Sequence, residues 1–164
     1  MGNSCTCGVQ NKAPDEMSLT DKQKGLIRES WAKVDHRAHG MVFYEKLFAA
    51  HPEYLPKFKK FPKKDAPTLK KEEDPAFVAQ AVATFSAIDR VISKLDNLED
   101  MTRILKDMGK RHVKYGVFEP EFIAVQPVVI DTLNAGLGGM SPELQNAWET
   151  ALKIICSVIV QGQS

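Results

Sequence analysis

The chain has 164 residues, which is the usual size of one domain and enough to bury a single core. Apolar residues make up 43% and charged residues 26%, as in an ordinary globular protein, and the net charge of +1 argues against nucleic acid as a partner. There is no run of about 18 unbroken apolar residues and no secretory signal, so we expect neither a membrane-spanning segment nor export from the cytoplasm.

The first 18 residues are predicted to be a flexible tail, because they carry few large apolar side chains that could pack. Their start, Met1-Gly2-Asn3-Ser4-Cys5-Thr6, fits the N-myristoylation pattern M-G-x-x-x-[ST]. One myristoyl chain binds a bilayer only marginally, at about 10⁴ M⁻¹, so stable anchoring needs a second signal. Palmitoylation of Cys5 and Cys7 beside the acylated Gly2 would supply that signal. The prediction is a lipid-anchored peripheral protein at the cytoplasmic face of the plasma membrane, and the alternative is an unmodified tail.

Residues 19–164 are predicted to form one domain, because a series of helix signals follows without convincing strand alternation. Thr20 and Gln23 form a capping box that opens the first helix. A second helix is predicted from about His36 to Ala50. Four prolines then break the chain into short turns and a loop, at Pro52, Pro56, Pro62 and Pro67.

The second half of the domain is predicted to hold four longer helices. Asp74-Pro75 is typical of an N-cap and first helical residue, and an apolar stripe follows it as far as Leu95. Another helix begins near Asn97 and ends at Gly116, a residue type suited to a left-handed C-terminal cap. The last two helices are predicted to begin at Pro120 and at Ser141-Pro142. The sequence therefore predicts an all-α domain of seven or eight helices.

Four histidines are the candidate metal ligands of this domain. His36 and His39 lie near the start of the second helix, and His51 lies at its end, where we expect it to interact with terminal carbonyl groups. His112 lies inside the helix that ends at Gly116. A lone helical histidine is more often structural than a ligand, so its pattern alone leaves the role of His112 open.

Three segments follow one another in a characteristic order. Ser30-Trp31-Ala32-Lys33-Val34 comes first, then Phe48 to Phe61, which contains His51-Pro52-Glu53, and later the segment around His112. This order resembles the globin family from about Leu19 to Gly162, and Pro52 and Phe58 match two positions that nearly all globins share. The region from Asp74 to His112 is most similar to neuroglobin and globin X, and globin X also has a doubly acylated N-terminus.

The resemblance implies a globin fold around one haem b (iron protoporphyrin IX). His112 matches the proximal histidine that binds the haem iron. Phe58 matches the phenylalanine that stacks on the haem face, Phe61 its packing neighbour, and Lys60 is placed to approach a haem propionate. Apolar haem contacts are implied for Met108, Val117, Phe122 and Val125. Without His112, plain core packing would explain the aromatic residues.

The residues expected on the opposite face of the haem differ from those of most globins. Gln80 aligns with the position that is histidine in neuroglobin and globin X, and Tyr44 aligns with a position usually filled by leucine or phenylalanine. Thr84, one turn after Gln80, is the third residue expected on the ligand side. A glutamine amide and a phenol can both donate hydrogen bonds to bound O₂. Glutamine is a poor iron ligand, so the resemblance implies an open sixth position. The alternative is that Tyr44 packs with its hydroxyl group on a backbone carbonyl.

The functional expectation is a membrane-tethered globin that reversibly binds O₂ and other diatomic ligands such as CO and NO. One alternative is a redox enzyme of the membrane surface that turns over nitric oxide, nitrite or lipid peroxides. It would need an external cellular reductase, because the sequence carries no flavin or nicotinamide module. A haem sensor is the third hypothesis, and it ranks last because no output domain is present in the sequence.

Overall fold

The computed structural model describes residues 18–61 and 74–164. Residues 1–17, with Gly2, Cys5 and Cys7, and residues 62–73, with Pro62 and Pro67, lie outside the described residues. Within the described ranges the chain forms six α-helices and one 3₁₀ segment, and no strand. The helices are α1 (Asp21–Trp31), α2 (His36–Ala50), α3 (Pro75–Ile92), α4 (Leu98–Val113), α5 (Glu119–Gly136) and α6 (Pro142–Gln161), and the 3₁₀ segment is Pro52–Lys57. The expected all-α class is confirmed.

Local capping chemistry explains where most helices begin. The Thr20 hydroxyl oxygen accepts from the Gln23 backbone N–H (3.1 Å), and the Gln23 side chain accepts from the Thr20 N–H (3.0 Å). Asp74 and Ser141 cap α3 and α6 through a side-chain oxygen alone, without the reciprocal bond, and each precedes a proline. The predicted starts at these residues are therefore confirmed.

The structure gives the end of α3 and the turn after α4 more closely than the sequence did. The apolar stripe was expected to continue in one helix to Leu95, but α3 ends at Ile92 and Leu95 is buried from the following turn instead. Gly116 has a φ of +66°, the left-handed conformation that glycine adopts without a steric penalty. The chain turns at Gly116 as predicted, although α4 already ends at Val113 and α5 begins at Glu119, one residue before the predicted Pro120.

The core lies between α6 and the helices that it crosses, α1, α4 and α5, and extends between α2 and α3. Trp31 stacks on Phe85 with ring centroids 5.6 Å apart, and the indole N–H of Trp148 donates to the buried Ser30 hydroxyl (3.0 Å). These contacts hold α1 against α3 and against α6.

The crossing of α2 and α3 is unusually close. A β-carbon at Gly40 would lie 2.6 Å from the carbonyl oxygen of Ala81, which is closer than side-chain carbons approach. Glycine is therefore required at this point, because any other residue would push the two helices apart.

By length and mean hydropathy alone, α3 is the one helix among the described residues that could cross a membrane. Its apolar face packs into the core, with Phe77, Ala81 and Phe85 almost wholly inaccessible to solvent. A core helix gives the same composition, so this finding supports no membrane span.

Candidate functional site

His112 lies one residue before the end of α4, and a backbone contact fixes its ring. Its Nδ1 lies 2.8 Å from the carbonyl oxygen of Met108. Because a carbonyl oxygen can only accept, Nδ1 carries a proton, so in the neutral imidazole the lone pair lies on Nε2. This tautomer is the one that binds a metal through Nε2.

The surroundings of His112 are aromatic and apolar. The Phe122 ring packs at 66° to the imidazole with centroids 5.4 Å apart, and the Tyr115 ring lies at 6.4 Å. Met108, Val117 and Val125 are half-buried and pack against the core. The residues that the resemblance names as haem contacts on this side are thus gathered beside His112 or on the neighbouring helix α5.

Gln163 is a contact that the sequence did not indicate. Its side-chain amide donates to the carbonyl oxygen of Val117 (2.7 Å), 46 residues away along the chain. The bond fastens the turn between α4 and α5 to the end of α6. A polar residue at the end of the last helix does not, from the sequence alone, indicate a hydrogen bond to a distant turn.

A second polar cluster forms where α2 meets α3. The hydroxyl oxygens of Tyr44 and Thr84 are 2.7 Å apart, and Nε2 of Gln80 donates to Tyr44 (3.1 Å) and to Thr84 (3.3 Å). Tyr44 is buried, yet its hydroxyl group meets these two side chains rather than a backbone carbonyl. The structure therefore brings together all three residues that were expected on the ligand side of the haem.

The hydrogen atoms of this cluster can be counted. The Gln80 amide has two, and the Tyr44 and Thr84 hydroxyl groups have one each. The three contacts among the side chains use three of them, because either hydroxyl group donates to the other. One hydroxyl hydrogen remains, so the cluster can donate one hydrogen bond to a ligand while staying intact.

The phenol of Tyr44 keeps its proton in this setting. Burial raises the pKa of Tyr44 above its ordinary value of 10.0, and the hydrogen bonds with Thr84 and Gln80 offset only part of that shift. The side chain is therefore a neutral hydrogen-bond donor across the physiological pH range.

The 3₁₀ segment links the two clusters. Phe58, which follows it, lies edge-on to the Tyr44 ring at 5.4 Å and is stacked on Phe61 at 5.2 Å. On the other side, the Lys57 ammonium group donates to the carbonyl oxygen of Gly116, four residues after His112, and lies 3.5 Å from the Glu121 carboxylate. Lys60, the residue expected near a haem propionate, is exposed and lies close by in sequence.

The other three histidines have local partners. The expectation that His51 binds terminal carbonyl groups is wrong, because its Nδ1 lies 3.0 Å from the Glu53 carboxylate and its ring stacks on Tyr54. His39 hydrogen-bonds the backbone of Asp35, and the His36 ring packs against Trp31. His112 remains the candidate ligand among the described histidines.

The described residues contain no group of three or more His, Cys, Asp or Glu side chains that could hold a metal ion. A single imidazole holds a metal firmly only when the other ligands come from elsewhere, as in an iron porphyrin. The donor set around His112 thus fits a haem, and does not fit a metal site built from protein ligands alone.

The comparisons with known proteins agree in sequence and in structure. The family model described as Globin matches residues 42–159. Neuroglobin of Danio rerio is 30% identical, with 88% of this chain and 92% of that protein covered. Cytoglobin-1 of Oryzias latipes is also 30% identical, with coverage of 86% and 81%.

Two solved structures superpose on the chain. A hexacoordinated heme protein from an anhydrobiotic tardigrade has a TM-score of 0.82 at 22% identity and covers 91% of this chain and 97% of its own. Ferric Aplysia limacina myoglobin has a TM-score of 0.78 at 21% identity, with coverage of 90% and 100%. At these identities the likeness concerns the fold, which the three chains share.

Proposed function

The chain belongs to the globin family and is therefore a haem-binding protein, and on that premise we propose that it binds haem b through His112 and holds O₂ reversibly beside Tyr44, Gln80 and Thr84. Globins bind O₂ and other diatomic gases, which makes CO and NO the other expected ligands. The haem supplies the iron to which the gas binds, and the chain supplies the surroundings that set how long the gas stays.

His112 supports this proposal through its tautomer and its surroundings. The bond between Nδ1 and Met108 orients the ring and directs the Nε2 lone pair away from the backbone of α4. The edge of Phe122 limits rotation of the ring. Phe58 and Phe61 offer parallel aromatic faces for stacking, and Val117 and Val125 offer apolar contact.

The single observation that carries O₂ binding is the cluster of Tyr44, Gln80 and Thr84. Bound O₂ carries partial negative charge and accepts hydrogen bonds, and the cluster has one hydroxyl hydrogen to donate. One such bond in a dry pocket contributes about 1 to 1.4 kcal/mol, which slows the loss of O₂ by about fivefold to tenfold. None of the three side chains is an imidazole, so we propose that the ferrous iron is five-coordinate before O₂ arrives.

Optical spectra and rapid kinetics of the haem-loaded protein test the proposal. The deoxygenated ferrous form should give a five-coordinate spectrum, and mixing with O₂ should give a stable oxygenated spectrum that reverses when O₂ is removed. A six-coordinate ferrous spectrum would contradict the open site. Oxidation on mixing, without an oxygenated form, would contradict reversible O₂ binding.

Measurements of autoxidation and of ferric reduction on the same protein distinguish storage or delivery of O₂ from redox turnover. A carrier should autoxidise slowly and work without a reductase. The redox alternative, with nitric oxide, nitrite or lipid peroxide as substrate, requires rapid reduction of the ferric form by an external reductase. Slow autoxidation in buffer, with no acceleration of ferric reduction by a cell extract, would favour the carrier.

We further propose that the protein is held at the cytoplasmic face of the plasma membrane by myristate on Gly2 and palmitate on Cys5 and Cys7. The support for this tether is the sequence Met1-Gly2-Asn3-Ser4-Cys5-Thr6 with a second cysteine two residues after Cys5. Two acyl chains bind a bilayer stably where one does not.

A further inference from the structure

Most of the large apolar side chains that are exposed in the described part of the chain lie at or beside one turn. Four of its six exposed large apolar side chains fall between residues 113 and 123: Val113 (39% exposed), Tyr115 (40%), Phe118 (45%) and Ile123 (57%). The Tyr115 ring lies 6.4 Å from the His112 ring, so Tyr115 is assigned to the proposed haem site. Phe118 and Ile123, at the start of α5, are the apolar residues on which the inference rests.

The same stretch is rich in cations. Lys110, Arg111 and Lys114 are exposed at the end of α4, and Lys57 joins them through its bond to Gly116. Their carboxylate neighbours in the turn are Glu119 and Glu121, and Glu121 is already paired with Lys57. The exposed residues at and beside this turn, together with Lys57, are called here the basic apolar face: Lys57, Lys110, Arg111, Val113, Lys114, Phe118 and Ile123.

The turn that carries the face is rigid. The backbone N–H groups of Tyr115 and Gly116 donate to the carbonyl oxygens of His112 and Val113, at 3.0 Å each. Glu121 accepts from the Phe118 N–H (2.8 Å), and this bond together with Lys57 keeps the pKa of Glu121 below its ordinary value although burial acts to raise it. A face held in this way loses little conformational freedom when it binds a partner.

We infer that the basic apolar face docks on an anionic lipid bilayer. Aromatic and aliphatic side chains that alternate with lysine and arginine are suited to the membrane interface, where the apolar groups enter the headgroup region and the cations meet the lipid phosphates. The Lys114 ammonium group already lies 4.9 Å from the centre of the Tyr115 ring, as it would at such a boundary. The charges of Lys110, Arg111 and Lys114 match a negatively charged surface, whereas the charge of Lys57 is already met by Glu121. This docking requires neither the acyl chains nor the haem.

The consequence is a fixed orientation on the membrane. Acyl chains on a tail would hold the protein near the bilayer without orienting it. The basic apolar face would turn the end of α4, which carries His112, towards the lipid.

Co-sedimentation with vesicles tests this inference in the full-length, haem-loaded protein with Gly2→Ala, which removes the acylation site. Vesicles of phosphatidylcholine alone are compared with vesicles that contain about one-third phosphatidylserine. The protein should bind only the anionic vesicles, and salt should weaken the binding. Equal partition to both kinds of vesicle, or to neither, would overturn the inference.

Matched variants in the same background locate the contact. Ile123→Ser should lower the partition coefficient by about fivefold. Leu98→Ser, which changes an even more exposed aliphatic residue at the far end of α4, should leave it unchanged. Lys110→Glu should lower it by at least about fivefold, since each cation near an anionic surface contributes about that factor. Lys153→Glu, on the exposed side of α6, is the charge control.

Equal losses in a variant and its control would overturn the inference. Concentration-dependent self-association that requires Ile123, without vesicle binding, would assign the face to a second copy of the chain. The haem spectrum of each variant is recorded separately, so that failure of the proposed haem site is distinguished from failure of docking.

Discussion

The hydroxyl oxygens of Tyr44 and Thr84 lie 2.7 Å apart, so that one of the two hydrogen atoms is shared and the other is free. If the phenol faces the ligand, Tyr44→Phe should raise the O₂ off-rate by about tenfold for one lost hydrogen bond. Gln80→Leu should act in the same direction. Flash photolysis or stopped-flow mixing measures the rate.

Thr84→Val tests which hydroxyl group donates to O₂. It removes the threonine oxygen, which competes with O₂ for the phenol hydrogen. The O₂ off-rate should then stay the same or fall. A rise equal to that of Tyr44→Phe would mean that the threonine hydroxyl group, and not the phenol, donates to the ligand.

The O₂ off-rate should be independent of pH between about pH 6 and pH 9. Burial raises the pKa of Tyr44 above 10.0, so the phenol stays protonated throughout this range and remains a donor. Loss of the proton would remove the donor and speed the release of O₂. An off-rate that climbs with a midpoint below pH 9 would therefore contradict the assigned protonation state.

Gln80→His should convert the deoxygenated ferrous form to a six-coordinate spectrum. The position faces Thr84 on the same side of α3, and an imidazole there is a far better iron ligand than an amide. Optical absorption after anaerobic reduction detects the change. Gln80→Asn, which keeps the amide, should leave the spectrum five-coordinate, and a five-coordinate Gln80→His protein would show that residue 80 does not lie above the iron.

His112→Gly should lose its haem or bind it with a completely changed ferrous spectrum, because no other described histidine lies in the same setting. Added imidazole should enter the space left by the side chain and restore the wild-type spectrum. His51→Gly, whose histidine pairs with Glu53, serves as the control and should retain haem. Normal haem retention by His112→Gly without imidazole would refute the proximal assignment.

The acyl tether predicts how the protein fractionates in a cell that contains the acylating enzymes. The unmutated chain should sediment with membranes and Gly2→Ala should be soluble or bind only weakly. Cys5→Ala/Cys7→Ala should be extracted more easily, since one chain holds only marginally. Mass spectrometry of an unmodified N-terminus, together with a cytosolic unmutated chain, would exclude the tether.

Sequence reasoning succeeds where the cause of a structural feature is local. Thr20, Asp74 and Ser141 mark helix starts because each cap is satisfied within three residues. The candidate ligand residues were also identified, through the resemblance, but their mutual bonds depend on how α2 crosses α3.

Contacts between segments that are far apart in the chain could not be predicted from the sequence. Neither the bond between Gln163 and Val117 nor the role of Lys57 was predicted. Several lysines lie close together near Lys57, and only the path of the 3₁₀ segment decides which of them reaches the end of α4. The side chain of Gln163 looks, in the sequence, like any polar residue after a helix.

The close contact between Gly40 and Ala81 bears on the proposed ligand site, although neither residue belongs to it. Gly40 lies one turn before Tyr44 on α2, and Ala81 lies between Gln80 and Thr84 on α3, so the closeness of the two backbones sets the reach of the phenol. A single methyl group added at residue 40 would wedge the helices apart and stretch the bond between Tyr44 and Thr84. If O₂ binds beside Tyr44 as proposed, its residence time should depend on the spacing of α2 and α3, and Gly40, which has no functional group, should help to set the gas affinity.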